Sequence, residues 1–150
     1  MVTPDQIDII QTTWKIPAAN PVDSGEVILL KFFEKFPHNQ QKFLAFKNLP
    51  LESLKGSKSF RTHAGRVVTV INDAIGVLGS PDAIAQLEEM WGKIGETHSK
   101  RKISKDSFNE LKIVICEVLT AVCALDEVQQ KAWDDLFSTI YEIIFKKYDQ

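Results

Sequence analysis

Cysteine is scarce in this chain: Cys116 and Cys123 are the only two in 150 residues. That excludes a disulfide-stapled scaffold, which a chain of this length does not need. There is no CxxC and no HExxH, so the paired-ligand patterns of zinc sites are missing. Charge of one sign is also lacking. Eighteen Lys and Arg against twenty Asp and Glu leave a formal net charge of -2, and no basic excess announces a nucleic-acid partner. No run of about 18 apolar residues exists to span a bilayer, so no membrane partner is expected. The start, MVTPDQIDII, lacks the cationic stretch and apolar run of a signal peptide, which points to the cytoplasm. Glycine-rich phosphate loops are absent too, because Gly56, Gly65 and the Gly76–Gly79 pair have the wrong spacing. No segment alternates strongly enough to be a half-buried strand.

What remains is helical. Apolar residues make up 44% and charged residues 25% of the chain, an ordinary globular composition, and the length fits one domain over residues 1–150. Thr3, Pro4 and Gln6 read as a helix start with a capping box, followed by Ile7, Ile10 and Trp14 on one face. Pro17 and Pro21 bracket a corner. A second helix is expected from Val22 to Phe36, with Leu29, Phe32, Phe33 and Phe36 inward. Pro37 forces a new direction. A long helix is expected over Ser57 to Leu78, ended by Gly79, Ser80 and Pro81, and another over Asp82 to His98. Ser104 caps a helix whose inner side is Phe108, Leu111, Ile115, Val118, Leu119 and Val122. It is nearly apolar over 113–125 and should cross the centre of the molecule. Asp126 starts a last helix that buries Trp133, Phe137, Ile140 and Ile144, with a frayed tail from Lys146. The fold class is therefore all-α, with six substantial helices and short ones between.

The chemistry sits in the histidines. Residues 37–57 are polar and broken, yet Phe43, Phe46, Leu49, Leu51 and Leu54 punctuate them. Aromatics in a non-periodic connection cover something apolar, either the chain's own core or a ligand. His98 ends the apolar stripe Leu87, Trp91, Ile94. It is either a hydrogen-bonded core histidine or a metal ligand whose second nitrogen donates to a carbonyl. His63 lies 35 residues earlier, roughly 50 Å away along a continuous helix. The Gly–Pro break turns the chain back, so the two imidazoles can face each other. A lone metal ion would want more protein ligands. A planar macrocycle that brings four nitrogens would not. Cys116 and Cys123, seven apart on an apolar helix, read as small buried hydrophobes, since no neighbour would lower their pKa.

Taken together, these residues resemble the globin family, in particular the intracellular haemoglobins of insects. The likeness covers residues 4–148. Pro37 and Phe43 look like the family's proline and its haem-stacking phenylalanine, and Phe46 like the second aromatic of that corner. His63 aligns with the distal histidine, Val67 with the apolar residue that crowds the gas, and His98 with the proximal iron ligand. Trp14 matches a core tryptophan. Gly25, with Ala64 opposite, matches the small residue that lets two helices approach closely. The resemblance implies a globin fold of six to eight helices enclosing a haem pocket, with haem b (iron protoporphyrin IX) as cofactor. His98 and His63 are then the metal-side residues, and Phe43, Phe46, Val67, Ile94, Ile103, Phe108 and Leu29 shield the ring. Leu29 donates no hydrogen bond, unlike the tyrosine of several high-affinity invertebrate globins. Arg66 either pairs with a haem propionate or folds inward toward the gas, Arg101 or Lys102 meets the other propionate, and His38 faces solvent. The interval between His63 and His98 is a few residues longer than in vertebrate globins, which extends the connection around Leu78–Ala83.

The implied function is reversible binding of molecular oxygen and other diatomic gases, for storage or facilitated diffusion inside cells, not enzymatic turnover. The alternative is redox work on the same haem, such as nitric oxide dioxygenation. A weak homodimer stays open.

Overall fold

A computed structural model describes residues 2–150. Seven α-helices and one 3-10 helix follow in order: α1 (Pro4–Ala18), α2 (Pro21–Lys35), the 3-10 helix (Pro37–Lys42), α3 (Leu51–Leu54), α4 (Lys58–Val77), α5 (Ala83–Lys100), α6 (Lys105–Cys123) and α7 (Glu127–Tyr148). Among the described residues there is no strand, and no helix is long and apolar enough to cross a membrane.

The helix starts obey the local chemistry. Thr3 accepts from the Gln6 amide while Gln6 returns a bond to the Thr3 amide, a complete capping box. Ser57, Ser104 and Asp126 cap α4, α6 and α7 in the same sense. Pro17 lies inside α1, which ends only at Ala18. Between α4 and α5 the chain turns through Gly79 at φ 87°, the left-handed conformation that glycine adopts without a Cβ penalty.

The centre is filled from the six long helices, with Ile10, Phe33, Phe60, Leu87, Ile115, Trp133 and Ile140 almost wholly buried. Trp14 and Trp133 pack at 5.8 Å between ring centroids. Their indole N–H groups are not wasted: Trp14 donates to Asn72 Oδ1 and Trp133 to the buried Thr13 Oγ1. Such partners are needed, because a buried donor without one costs free energy.

Two details differ from the sequence expectation. Val122, placed on the inner side of α6, is half exposed, as is Ile113. A helix that packs on α1, α2 and α7 still leaves one strip to solvent, and apolar residues occupy it here. The tail does not fray at Lys146. Helix α7 runs to Tyr148, whose ring meets Phe108 and Phe145, and Lys105 Nζ reaches Asp149 Oδ1 at 2.8 Å.

Two close helix crossings place α4 and α5. A Cβ on Gly25 would lie 2.3 Å from the Ala64 carbonyl oxygen, and one on Gly95 would lie 2.6 Å from the Ile144 carbonyl oxygen. The first contact sets α4 against α2 beside His63. The second sets α5 against α7 one turn before His98. Arg61 reinforces the first crossing from outside by bridging from α4 to Asp23 and Glu26 of α2.

Candidate functional site

The helices leave a cavity of about 1450 Å³, larger than the roughly 300–1,000 Å³ usual for small-molecule pockets. His63 of α4 and His98 of α5 both line it, with Leu29, Phe43, Phe46, Val67, Ile103 and Phe108. Arg66, Arg101 and Lys102 line it as well. Nine of the ten cofactor-side residues expected from sequence therefore meet in one place. Ile94 is the exception. Its carbonyl serves the site, but the residue lines a neighbouring cavity of about 690 Å³ between α4 and α5. One turn of α5 separates Ile94 from His98, enough to aim it past the larger space.

His98 is held firmly. Its Nδ1 donates to the Ile94 carbonyl at 2.7 Å, and Thr97 Oγ1 lies 3.3 Å from the same nitrogen while donating to that carbonyl. With Nδ1 the donor, Nε2 carries the free lone pair, and it makes no hydrogen bond within the protein. The Phe108 ring, 5.3 Å away between centroids, flanks the imidazole. Among the described residues His63 makes no hydrogen bond to protein. It stands edge-on to Phe43 at 5.0 Å and to Phe46 at 6.0 Å. Both aromatics come from the turn after the 3-10 helix, which Gln40 pins by donating to the Phe46 and Leu49 carbonyls.

Burial holds both imidazoles below the ordinary histidine pKa. At His63, Arg66 and then His98 add to the lowering. At His98 the Ile94 carbonyl opposes it, and Arg101 adds to it. Both rings are thus biased to the neutral form, the one with a lone pair for a metal.

The rim of the cavity is cationic. Lys42, Lys58, Arg66, Arg101 and Lys102 are exposed and line it, no Asp or Glu does, and among the described residues none of the five is in an ion pair. Lys42 instead donates to the buried Ser107 hydroxyl at 3.2 Å. The sequence reading had not assigned Phe32, Leu111, Asn39, Lys42 or Ser107 to this space. Phe32 and Leu111 were legible as core faces only, and nothing in the local pattern separates core from cavity wall. Among the described residues no three His, Cys, Asp or Glu side chains converge as a metal site.

These features fit a haem. The wall is apolar, two imidazoles lack protein partners for the nitrogens that could reach a metal, and unpaired cations at the mouth suit the propionate carboxylates. His38 is outside this arrangement, exposed and bonded to Glu110 Oε1 at 2.8 Å. Cys116 is also uninvolved. Burial first, with Asp134 adding, pushes its thiol up to about 11.

The chain is 46% identical to a Drosophila melanogaster globin, with a TM-score of 0.91 and coverage of 96% of this chain and 94% of that one. It is 28% identical to the haemoglobin of the botfly Gasterophilus intestinalis, with a TM-score of 0.90 and 99% of both chains covered. It is 30% identical over 149 residues to globin CTT-VI of Chironomus thummi thummi, covering 99% of this chain and 90% of that protein. Residues 26–144 match the sequence profile described as Globin, and the chain belongs to the globin family, whose fold houses haem for the binding of gases.

Proposed function

We propose that the protein binds oxygen reversibly at haem b, for storage or facilitated diffusion inside cells, with the whole chain acting as one domain and not as a dedicated enzyme. The observation that carries this reading is the pair of imidazoles lining one apolar cavity, each with a nitrogen unclaimed by protein. Haem bound there supplies an iron with one position for a diatomic gas.

The chain's own residues do the rest. His98 would hold the iron through Nε2. Its Nδ1–H bond to the Ile94 carbonyl fixes the ring and raises its basicity. His63 would donate a hydrogen bond to the gas, worth roughly 1.5–3 kcal/mol for a charged acceptor, or about 10- to 150-fold in affinity. Phe43, Phe46, Val67, Leu29, Ile103 and Phe108 keep water out, which disfavours charge separation and oxidation. Leu29, almost wholly buried, offers no second donor. Arg66 and either Arg101 or Lys102 would hold the propionates.

A second role for His63 has specific support. A Drosophila melanogaster haemoglobin, 46% identical to this chain, is described as hexa-coordinate. By that likeness His63 is itself an iron ligand when no gas is present. Spectra of the ferrous protein test both levels. Repeated cycles of oxygenation and gas removal should return the same two spectra. Loss of the ferrous spectrum within the first cycle, together with fast turnover of nitric oxide under a reducing system, would contradict the carrier reading. In the gas-free state one broad visible band leaves His63 free, and two sharp bands mean it has bound.

A further inference from the structure

The mouth of the cavity has an apolar point within its cationic rim. Leu44 is 88% exposed, the most exposed large hydrophobic residue described, and it lines the same mouth as Lys42, Lys58, Arg66, Arg101 and Lys102. It sits on a turn that is not loose. Phe43 and Phe46, on either side, pack on each other and on His63, and Gln40 holds the turn from beneath. Leu49, a few residues on, is also 44% exposed. The chain as a whole carries a formal charge of -2, whereas the mouth that this leucine lines has five cationic residues and no acidic one. Two propionates would neutralise only two of the five cations.

We propose that this face seats the protein on an anionic lipid surface, with Leu44 entering the headgroup boundary and the lysines and arginines of the mouth lying over the lipid phosphates. The absence of a spanning helix does not bear on this, since lying on a membrane and crossing it are different physical states. Lipid fits better than an acidic protein. Protein interfaces are depleted in lysine, and leucine is under-represented among their energetic anchors. Here three of five rim cations are lysine and the anchor is leucine. Polybasic clusters with an inserted apolar side chain are the pattern that anionic bilayers hold. The geometry turns the cavity mouth toward the hydrocarbon, in which small apolar gases dissolve better than in water. The docking itself depends on the rim and Leu44 and not on which gas is bound, so it stands or falls separately from the carrier reading.

The test is vesicle flotation of the haem-loaded protein, counting only protein that carries its full Soret band. The probes are vesicles of phosphatidylcholine with about 30% phosphatidylserine, and vesicles of phosphatidylcholine alone. The expected result is at least about tenfold stronger partition onto the anionic vesicles at low salt, falling steeply as salt shortens the screening length below roughly 10 Å. Leu44→Asp should weaken the partition by about tenfold or more, as loss of a buried leucine implies. Lys58→Glu with Lys102→Glu should abolish it. Val128→Asp, which alters a 68% exposed apolar residue at the start of α7 and outside the mouth, should leave it unchanged. Equal binding to both vesicle types would overturn the proposal. So would anionic binding indifferent to Leu44→Asp, or equally tight association with a polyglutamate peptide, which would make the rim a general anion or acidic-protein site.

Discussion

Substituting Gly25 by alanine tests how His63 is positioned. The added Cβ would lie 2.3 Å from the Ala64 carbonyl oxygen, 2.8 Å from its carbonyl carbon and 3.0 Å from Val68 Cγ2. Ordinary contact begins near 3.4 Å, so α2 and α4 must separate by about an ångström. The nearest obstacle is backbone, which cannot swing aside as a side-chain tip can. Overpacking of this kind costs about 1–3 kcal/mol, and a backbone clash belongs at the upper end, about 3 kcal/mol. Alanine's better helix propensity returns about 1 kcal/mol, for a net loss of about 2 kcal/mol. At about 2–4 °C per kcal/mol, the Tm should fall by about 4–8 °C. Gly76→Ala is the internal control. It lies in α4, at ordinary φ with nothing within 4 Å of the new Cβ, so it should gain about 0.5–1 kcal/mol. Thermal melts of the two haem-loaded variants read the difference. Because Ala64 adjoins His63, Gly25→Ala should also change the rate at which carbon monoxide rebinds after photolysis, while Gly76→Ala should not. A Gly25→Ala protein as stable as the parent, with unchanged rebinding, would refute the close crossing as the device that sets His63.

Three further outcomes follow from the same structure. Thr13→Val removes the acceptor of the buried Trp133 indole N–H, a 3.0 Å bond; the loss should be about 1–3 kcal/mol, read by urea unfolding, and a neutral result would show that Trp133 finds another partner. Haem-free protein should lose stability as pH falls below about 6.5. Both His63 and His98 have folded pKa values held below the ordinary one, by burial first, so the unfolded chain takes up protons earlier and gains on the folded one until the folded values are reached. Melts of the haem-free protein at pH 7.5 and 5.5, repeated on His63→Phe, should show a shallower pH slope in the variant; an equal slope would count against the burial argument. Cys116, with its thiol near 11, should be alkylated by iodoacetamide at pH 8 far more slowly than free cysteine, and comparable rates would contradict its burial.

Much of the site was legible in the sequence because it rests on local rules. Thr3, Ser57, Ser104 and Asp126 are capping residues whose chemistry acts within three residues of chain, so the helix starts could be read directly. The Gly79 turn follows from glycine's access to positive φ. Gly25 was found through a family likeness, whereas Gly95 was not found at all, although it does the same work against Ile144. A glycine inside a helical run carries no local mark of what crosses it. Ile94 shows the limit of periodicity: the stripe Leu87, Trp91, Ile94, His98 is real, but one turn decides which cavity a side chain enters. Val122 and Ile113 are apolar and half exposed, so their chemistry alone could not reveal the face they occupy. The concentration of cations at one mouth was hidden for another reason. Lys42, Lys58, Arg66, Arg101 and Lys102 come from three separate stretches of chain, and only the fold gathers them.

The central claim is that His98 tethers the haem iron, and replacement of that residue by glycine measures it most directly. In His98→Gly the visible spectrum should change and haem should be lost readily to an acceptor protein, and imidazole added to the solution should restore the parent spectrum by occupying the vacated space. Full retention of haem with an unaltered spectrum and no added imidazole would contradict the assignment.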